Sequence, residues 1–193
     1  MHINKNGIRI HDKSSFTGMR NAGSLAASIL DTIGELVVPG KSTEEIDIAI
    51  NKIIEKANAK SATIGYRGYK HASCISLNHV VCHGIPSTKI IKNGDIINID
   101  VTVIVDGWYG DTSRMYAVGA LNRKAERLIK ITHDALFKGI EKVKPGNTFG
   151  DIGNAIQTYV EANRMSVVKD FCGHGLPMLT IGSIVKRRVC FLQ

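Results

Sequence analysis

Two aspartates, Asp100 and Asp111, and two histidines, His83 and His174, are the side chains whose surroundings mark them for chemistry. The aspartates flank Asp106-Gly107, a dipeptide that strongly favours a two-residue hairpin turn. With that turn in place, Val105 faces Trp108, Thr102 faces Asp111 and Asp100 faces Ser113. Side chains alternate along a strand, so Asp100, Thr102, Asp111 and Ser113 share one face, with the two carboxylates diagonal to each other and roughly 7 Å apart. That separation suits one or two cations. Asp100 is set among Ile97, Ile99, Val101 and Val103, where an unpaired carboxylate would be costly, so something positive should face it. Hydrogen bonds or Arg114 could satisfy either aspartate alone; the two together, beside one hairpin, favour metal binding. A bulge at Gly110 would shift this register.

His83 lies in Val-Cys-His-Gly-Ile-Pro, where Gly84 and Pro86 signal a turn and place the imidazole at a strand end rather than in a core. His174 stands between Gly173 and Gly175, where bare backbone lets a ligand approach. A lone histidine is more often structural than functional. The nearby pair of strand carboxylates is what makes these two candidates.

Positioning these residues requires a framework, and the chain shows one in an internal repeat. The segment PGKSTEEIDIAINKIIEKAN from Pro39 aligns without gaps on PGNTFGDIGNAIQTYVEANR from Pro145. In each copy Ser42 or Thr148 can cap a helix, with Glu45 or Asp151 three residues on, and Ile46, Ala49, Ile50 and Ile53 follow helical spacing. A second helix precedes each copy, over about 19–36 and 122–143. Between the helix pairs, residues 74–118 are strand-like, and a further strand is expected over 166–171. The order predicts an α+β fold with two related halves, its helices on one face of a mainly antiparallel sheet.

With 193 residues, 44% of them hydrophobic, the chain is the size of one domain, here taken as 1–193. No run approaches the about 18 apolar residues of a membrane span, and the first residues carry no secretory core. Cys74, Cys82, Cys172 and Cys190 form no CxxC pair, which suits reduced thiols in the cytoplasm. The net charge of +8 raises the question of nucleic acid, yet the basic residues are dispersed apart from Lys186-Arg187-Arg188. Specific nucleic-acid binding is not expected; an acidic surface such as the ribosome is a further partner that the charge allows.

Gly-Tyr-Arg-Gly-Tyr (65–69), Ser-Cys-Ile-Ser-Leu-Asn (73–78), Val-Val-Cys-His-Gly-Ile-Pro (80–86), Asn-Ile-Asp-Val-Thr (98–102), Gly-Asp-Thr-Ser (110–113) and Cys-Gly-His-Gly (172–175) resemble type I methionine aminopeptidases in order and spacing, over about residues 10–175. The resemblance implies the pita-bread fold, with two pseudo-symmetric halves. It also implies a monomeric cytoplasmic hydrolase that removes the initiator methionine of nascent polypeptides with a hydroxide activated by two divalent metal ions (Co, Mn, Fe, Zn or Ni). By the same resemblance Asp100, Asp111 and His174 are metal ligands and Asp111 bridges the ions. His83 contacts substrate and stabilises the transition state, and Tyr66, Tyr69 and Cys74 line the methionine pocket. Thr63 stands in that pocket where bacterial relatives often carry cysteine.

The pattern departs after Gly175. The family continues to a second histidine and two strand glutamates, whereas residues 176–193, LPMLTIGSIVKRRVCFLQ, contain no Asp, Glu or His. This divergent tail implies a second half that is incomplete, at most one weakly bound ion and an impaired or inactive chain. Two rival readings share the fold. A non-catalytic peptide- or protein-binding module is disfavoured by the retained Asp100, Asp111, His83 and His174. A proline-specific peptidase is disfavoured by the Tyr and Cys pocket matches.

Overall fold

Helix α1 (Lys13–Ile33) starts where the Asp12 carboxylate accepts the Ser15 amide at 3.0 Å, and buries the stripe Ala22, Ala26, Ile29, Leu30 and Ile33. The computed structural model describes residues 2–5 and 9–176, which belong to two compact units built on Met1–Gly119 and Ala120–Gly175. In the first unit, the short strands β1 (His2–Ile3) and β2 (Arg9–Ile10) pair with each other ahead of α1. Helix α1 begins six residues before the position that hydrophobic spacing suggested, because Asp12 caps it and Ser15 is already buried. A 3-10 turn over Gly34–Leu36 then leads to α2 (Thr43–Lys56).

The capping box expected for α2 is present. Ser42 Oγ accepts the Glu45 amide at 3.1 Å and Glu45 accepts the Ser42 amide at 2.8 Å, so two otherwise orphaned donors are satisfied. Strands β3 (Lys60–Ser61), β4 (Ser73–Leu77), β5 (Ile96–Val105) and β6 (Trp108–Ala117) form an antiparallel sheet with β5 at its centre. Strand β6 runs along one edge of β5; β3 and β4 share the other.

The alternation of β5 separates two chemistries. Ile97, Ile99, Val101 and Val103 are fully buried against Ala26, Ile29, Leu30, Ile46 and Ile50 of the helices, each such burial contributing about 1.5–3 kcal/mol. Asn98, Asp100 and Thr102 take the opposite face. The turn is Asp106-Gly107, with φ of 49° and 82°, and the register is the expected one: Thr102 opposite Asp111 and Asp100 opposite Ser113.

No bulge occurs at Gly110, which pairs in register with Val103. Its bareness has another cause: a Cβ there would run into the Ala22 carbonyl, so glycine is what lets α1 lie directly on β6. Arg114 does not serve Asp100. It pairs with Ile99 on the helix face and donates to Asp31 of α1 at 2.6 Å.

In the second unit Asn122 caps α3 (Arg123–Ile140), and Thr148 with Asp151 forms the second capping box, at the start of α4 (Phe149–Ala162). Ala135, Ile156, Val160 and Val167 make its small core. The strand expected over 166–171 is absent; these residues form no regular element. Val167 has its apolar demand met by packing against the helix pair, so its alternation needs no ladder partner. Likewise the strand that begins at Ser73 stops at Leu77, and the chain turns at Asn78 and His83, both with positive φ. The fold is α+β as predicted. The repeated helix pair is present in both units, and among the described residues the sheet strands other than β1 and β2 all lie between Lys60 and Ala117.

Candidate metal centre and substrate pocket

The polar face of the sheet is ordered in rows. Cys74, Asp100 and Ser113 are direct partners across β4, β5 and β6; Thr102 and Asp111 form the next row. Both aspartates are partly exposed, and the Thr102 hydroxyl donates to Asp111 Oδ1 at 3.1 Å, which fixes that carboxylate's orientation. The pair supplies hard oxygen donors on adjacent strands with side chains aimed the same way, a donor set that fits a divalent cation.

One loop supplies the predicted residues Thr63, Tyr66 and Tyr69. Residues 62–72 leave the edge of β5 and return to it almost at the same point: the Ala62 amide donates to the Thr102 carbonyl at 2.9 Å, and Ser73 pairs with Val101. The ends of this Ω-shaped loop are thus neighbours, and it is packed by its own side chains. Thr63 does not present a free hydroxyl, since its Oγ1 donates to the His71 carbonyl at 2.7 Å. Tyr69 donates from its hydroxyl to the Ser73 carbonyl at 2.8 Å. Tyr66 is 60% exposed at the loop tip, with the Arg67 guanidinium 5.5 Å from its ring centre.

The electrostatics tie loop to sheet. Burial pushes the Cys74 thiol up, the contact with Tyr69 partly opposes this, and the charge of Asp100 adds to it. Cys82 is pushed up by burial and then by Asp100. Burial, the Cys74 contact and the charges of Asp47 and Asp100 all raise the Tyr69 phenol. Both thiols and the phenol therefore stay protonated beside the Asp100 carboxylate.

His83 is exposed, as the turn signals implied. Its φ of 53° turns the chain just before Gly84, whose amide donates to Ser76 Oγ at 3.1 Å and whose carbonyl accepts the Ile75 amide at 2.8 Å. A Cβ on Gly84 would collide with the Ile75 carbonyl, so glycine is what allows the His83 loop to lie against β4. His174 belongs to the second unit, where it is exposed with Nδ1 3.1 Å from the Gly175 carbonyl. The first unit thus brings together Asp100, Asp111, Tyr69 and Cys74 and places His83 on the loop beside β4. Among the described residues no group of three or more His, Cys, Asp or Glu side chains forms a ready-made cluster.

Sequence reasoning overlooked Asp47, Ser61 and Cys82. Asp47 left a signal: it follows Ile46 on the buried face of α2, where a carboxylate is out of place without partners.

The paired-carboxylate face is compatible with a metallopeptidase, and the chain belongs to metallopeptidase family M24, which it matches over residues 17–182. Within that family its relatives are methionine aminopeptidases, and the type I resemblance of the motifs holds. It is 53% identical over 169 residues to the methionine aminopeptidase of Rickettsia prowazekii and 49% identical over 171 residues to that of Escherichia coli, in each case covering 88% of this chain. The chain spans 65% of the length of those two relatives. Methionine aminopeptidase A of Synechocystis is 50% identical over 170 residues, 88% of this chain and 67% of the relative. The crystal structure of the Rickettsia prowazekii enzyme superposes with a TM-score of 0.86 at 47% identity, covering 95% of this chain and 79% of that one. Prolidase from Pyrococcus furiosus has a TM-score of 0.76 at 19% identity, covers 93% of this chain and 55% of that one, and shares the pita-bread fold alone.

Proposed function

We propose that this chain carries the substrate pocket and part of the metal centre of a methionine aminopeptidase, which removes the initiator methionine from nascent polypeptides in the cytoplasm. The observation that carries the reading is the hairpin register, which sets Asp100 and Asp111 on one polar face, with Cys74 of β4 opposite Asp100 and Tyr69 on the loop that leads into β4. Asp100, Asp111 and His174 are the residues that would hold divalent metal. When bound, such an ion supplies Lewis-acid polarisation of the scissile carbonyl and activation of water.

The chain's own groups do the remainder. The Thr102 hydroxyl keeps Asp111 oriented. Cys74, held neutral, and the ring of Tyr69 offer the methionine side chain an uncharged, polarisable wall suited to a thioether. His83, exposed on its turn, donates a hydrogen bond to the substrate as charge develops on the carbonyl oxygen. Three ligands matching the family pattern hold one ion weakly, so this chain by itself is impaired in the reaction. The chain is a monomer, and the ribosome surface is a docking partner suited to the net charge of +8.

The test is a chimera in which residues 1–175 are joined to the C-terminal segment of the Rickettsia prowazekii enzyme. The expected outcome is release of methionine from a Met-Ala peptide, lost again on Asp111→Ala. A folded, metal-loaded chimera that leaves the peptide intact would overturn the assignment.

A further inference from the structure

The pocket loop is held by a residue outside it. The Asp47 side chain of α2 is 9% exposed and spans three consecutive residues where the loop rejoins the sheet. Its Oδ1 accepts the Ser73 hydroxyl at 2.6 Å and the Ser73 amide at 2.9 Å; its Oδ2 accepts the Ala72 amide at 3.3 Å and stands 3.3 Å from His71 Nδ1. The carbonyls of the same three residues are taken from the other side. Thr63 Oγ1 donates to His71, Ser61 Oγ to Ala72 at 3.3 Å and the Tyr69 hydroxyl to Ser73.

This is a clamp, with a buried anion on the amides and hydroxyls on the carbonyls. It sits one residue before Cys74, the direct cross-strand partner of Asp100. The His71 ring lies edge-on to the Tyr69 ring at 5.5 Å, so the group that touches Asp47 also braces the phenol. The Ala72 amide, the Ser73 amide and the Ser73 hydroxyl all point donors at Asp47, and only a group that accepts with both oxygens satisfies them.

We propose that Asp47 is a positioning residue of the substrate pocket: by clamping residues 71–73 it sets where the Tyr69 hydroxyl and the Cys74 thiol stand beside Asp100. The inference rests on the reading of Tyr69 and Cys74 as the pocket wall. Asparagine keeps the shape of Asp47 but turns an NH2 group toward donors, so it opens the clamp without emptying the space. Deletion of the Ser73 hydroxyl removes a single donor.

Alkylation of the full chain by iodoacetamide, followed site by site by peptide mass mapping, reads the clamp directly. Cys172, which lies in the second unit, is the internal reference. Unpaired buried donors cost about 1–3 kcal/mol, and about 1.4 kcal/mol is tenfold, so Asp47→Asn should speed Cys74 alkylation about tenfold relative to Cys172. Ser73→Ala should speed it about threefold, and L-methionine, which should slow Cys74 alkylation in the wild type, should fail to do so in Asp47→Asn. A Cys74 rate within about twofold of wild type in folded Asp47→Asn, with methionine protection retained, overturns the proposal. If Asp47→Asn does not fold, an unchanged Cys74 rate in Ser73→Ala overturns it instead. Methionine that fails to protect Cys74 in the wild type counts against the methionine pocket, whereas the variant-to-wild-type rate ratio still decides the clamp.

Discussion

Replacing Gly110 with alanine tests the link between fold and site at its tightest point. The added Cβ would stand 2.7 Å from the Gly23 amide nitrogen and closer still to the Ala22 carbonyl, both backbone atoms within α1. No side chain can swing aside, so the clash is relieved only if α1 lifts from β6. Overpacking typically costs about 1–3 kcal/mol, and because the obstacle is the backbone of a helix whose buried face anchors the core, about 3 kcal/mol is expected here. Where β6 shifts as well to relieve the clash, Asp111, the next residue, moves relative to the Thr102 hydroxyl that now donates to it at 3.1 Å, and metal affinity should then fall along with stability.

Urea unfolding followed by the single tryptophan provides the assay, because Trp108 packs against Gly18 and its ring centre lies 5.8 Å from that of His11. Gly107→Ala is the control: it meets no neighbour and carries only the penalty of its φ of 82°, about 1 kcal/mol. A loss below about 1 kcal/mol at Gly110, or a loss equal to that at Gly107, would refute the close-approach argument.

Calorimetric titration with Mn²⁺ should detect at most one weakly held ion per chain and none after Asp111→Ala, whereas two tight sites would contradict the three-ligand reading. In the chimera, His83→Ala should lower kcat by about 10² to 10⁴ with metal content unchanged, and a parallel loss of metal would reassign His83 as a ligand. The Glu45 carboxylate is drawn down from an ordinary 4.5 to about 2, first by the Ser42 amide and then by Lys41, so its folded-state value lies below its unfolded one. Stability contributed by this cap is therefore fully present above about pH 4.5 and is lost as pH falls towards about 2. The Tm gap between wild type and Glu45→Gln should close over that range, and a gap that stays constant would exclude the capping contribution.

Local physics explains why the sequence was legible in some places and misleading in others. The hairpin could be read to the residue because Asp106-Gly107 determines its own turn type, and the period of two then assigns every side chain to a face. Both capping boxes could be read because a cap and its partner lie three residues apart. The stretch 166–171 misled because apolar alternation records a demand for burial, and Val167 meets that demand on a pair of helices. Gly110 left two readings open because a bare residue in a strand indicates either a bulge or a close approach, and only the position of α1 decides between them.

The candidate site divides along the same line. The sequence alone determined that Asp100 and Asp111 face the same way, that His83 sits on a turn and which family the motifs resemble, since each of these depends on neighbours along the chain or across one tight turn. Only the tertiary structure decided that the loop from 62 to 72 closes on one point of β5, that Arg114 serves Asp31 and that Asp47 reaches from α2 to hold Ser73. Those contacts join residues far apart in the chain. Their energy comes from desolvated hydrogen bonds that exist only once the helices and the sheet have packed together.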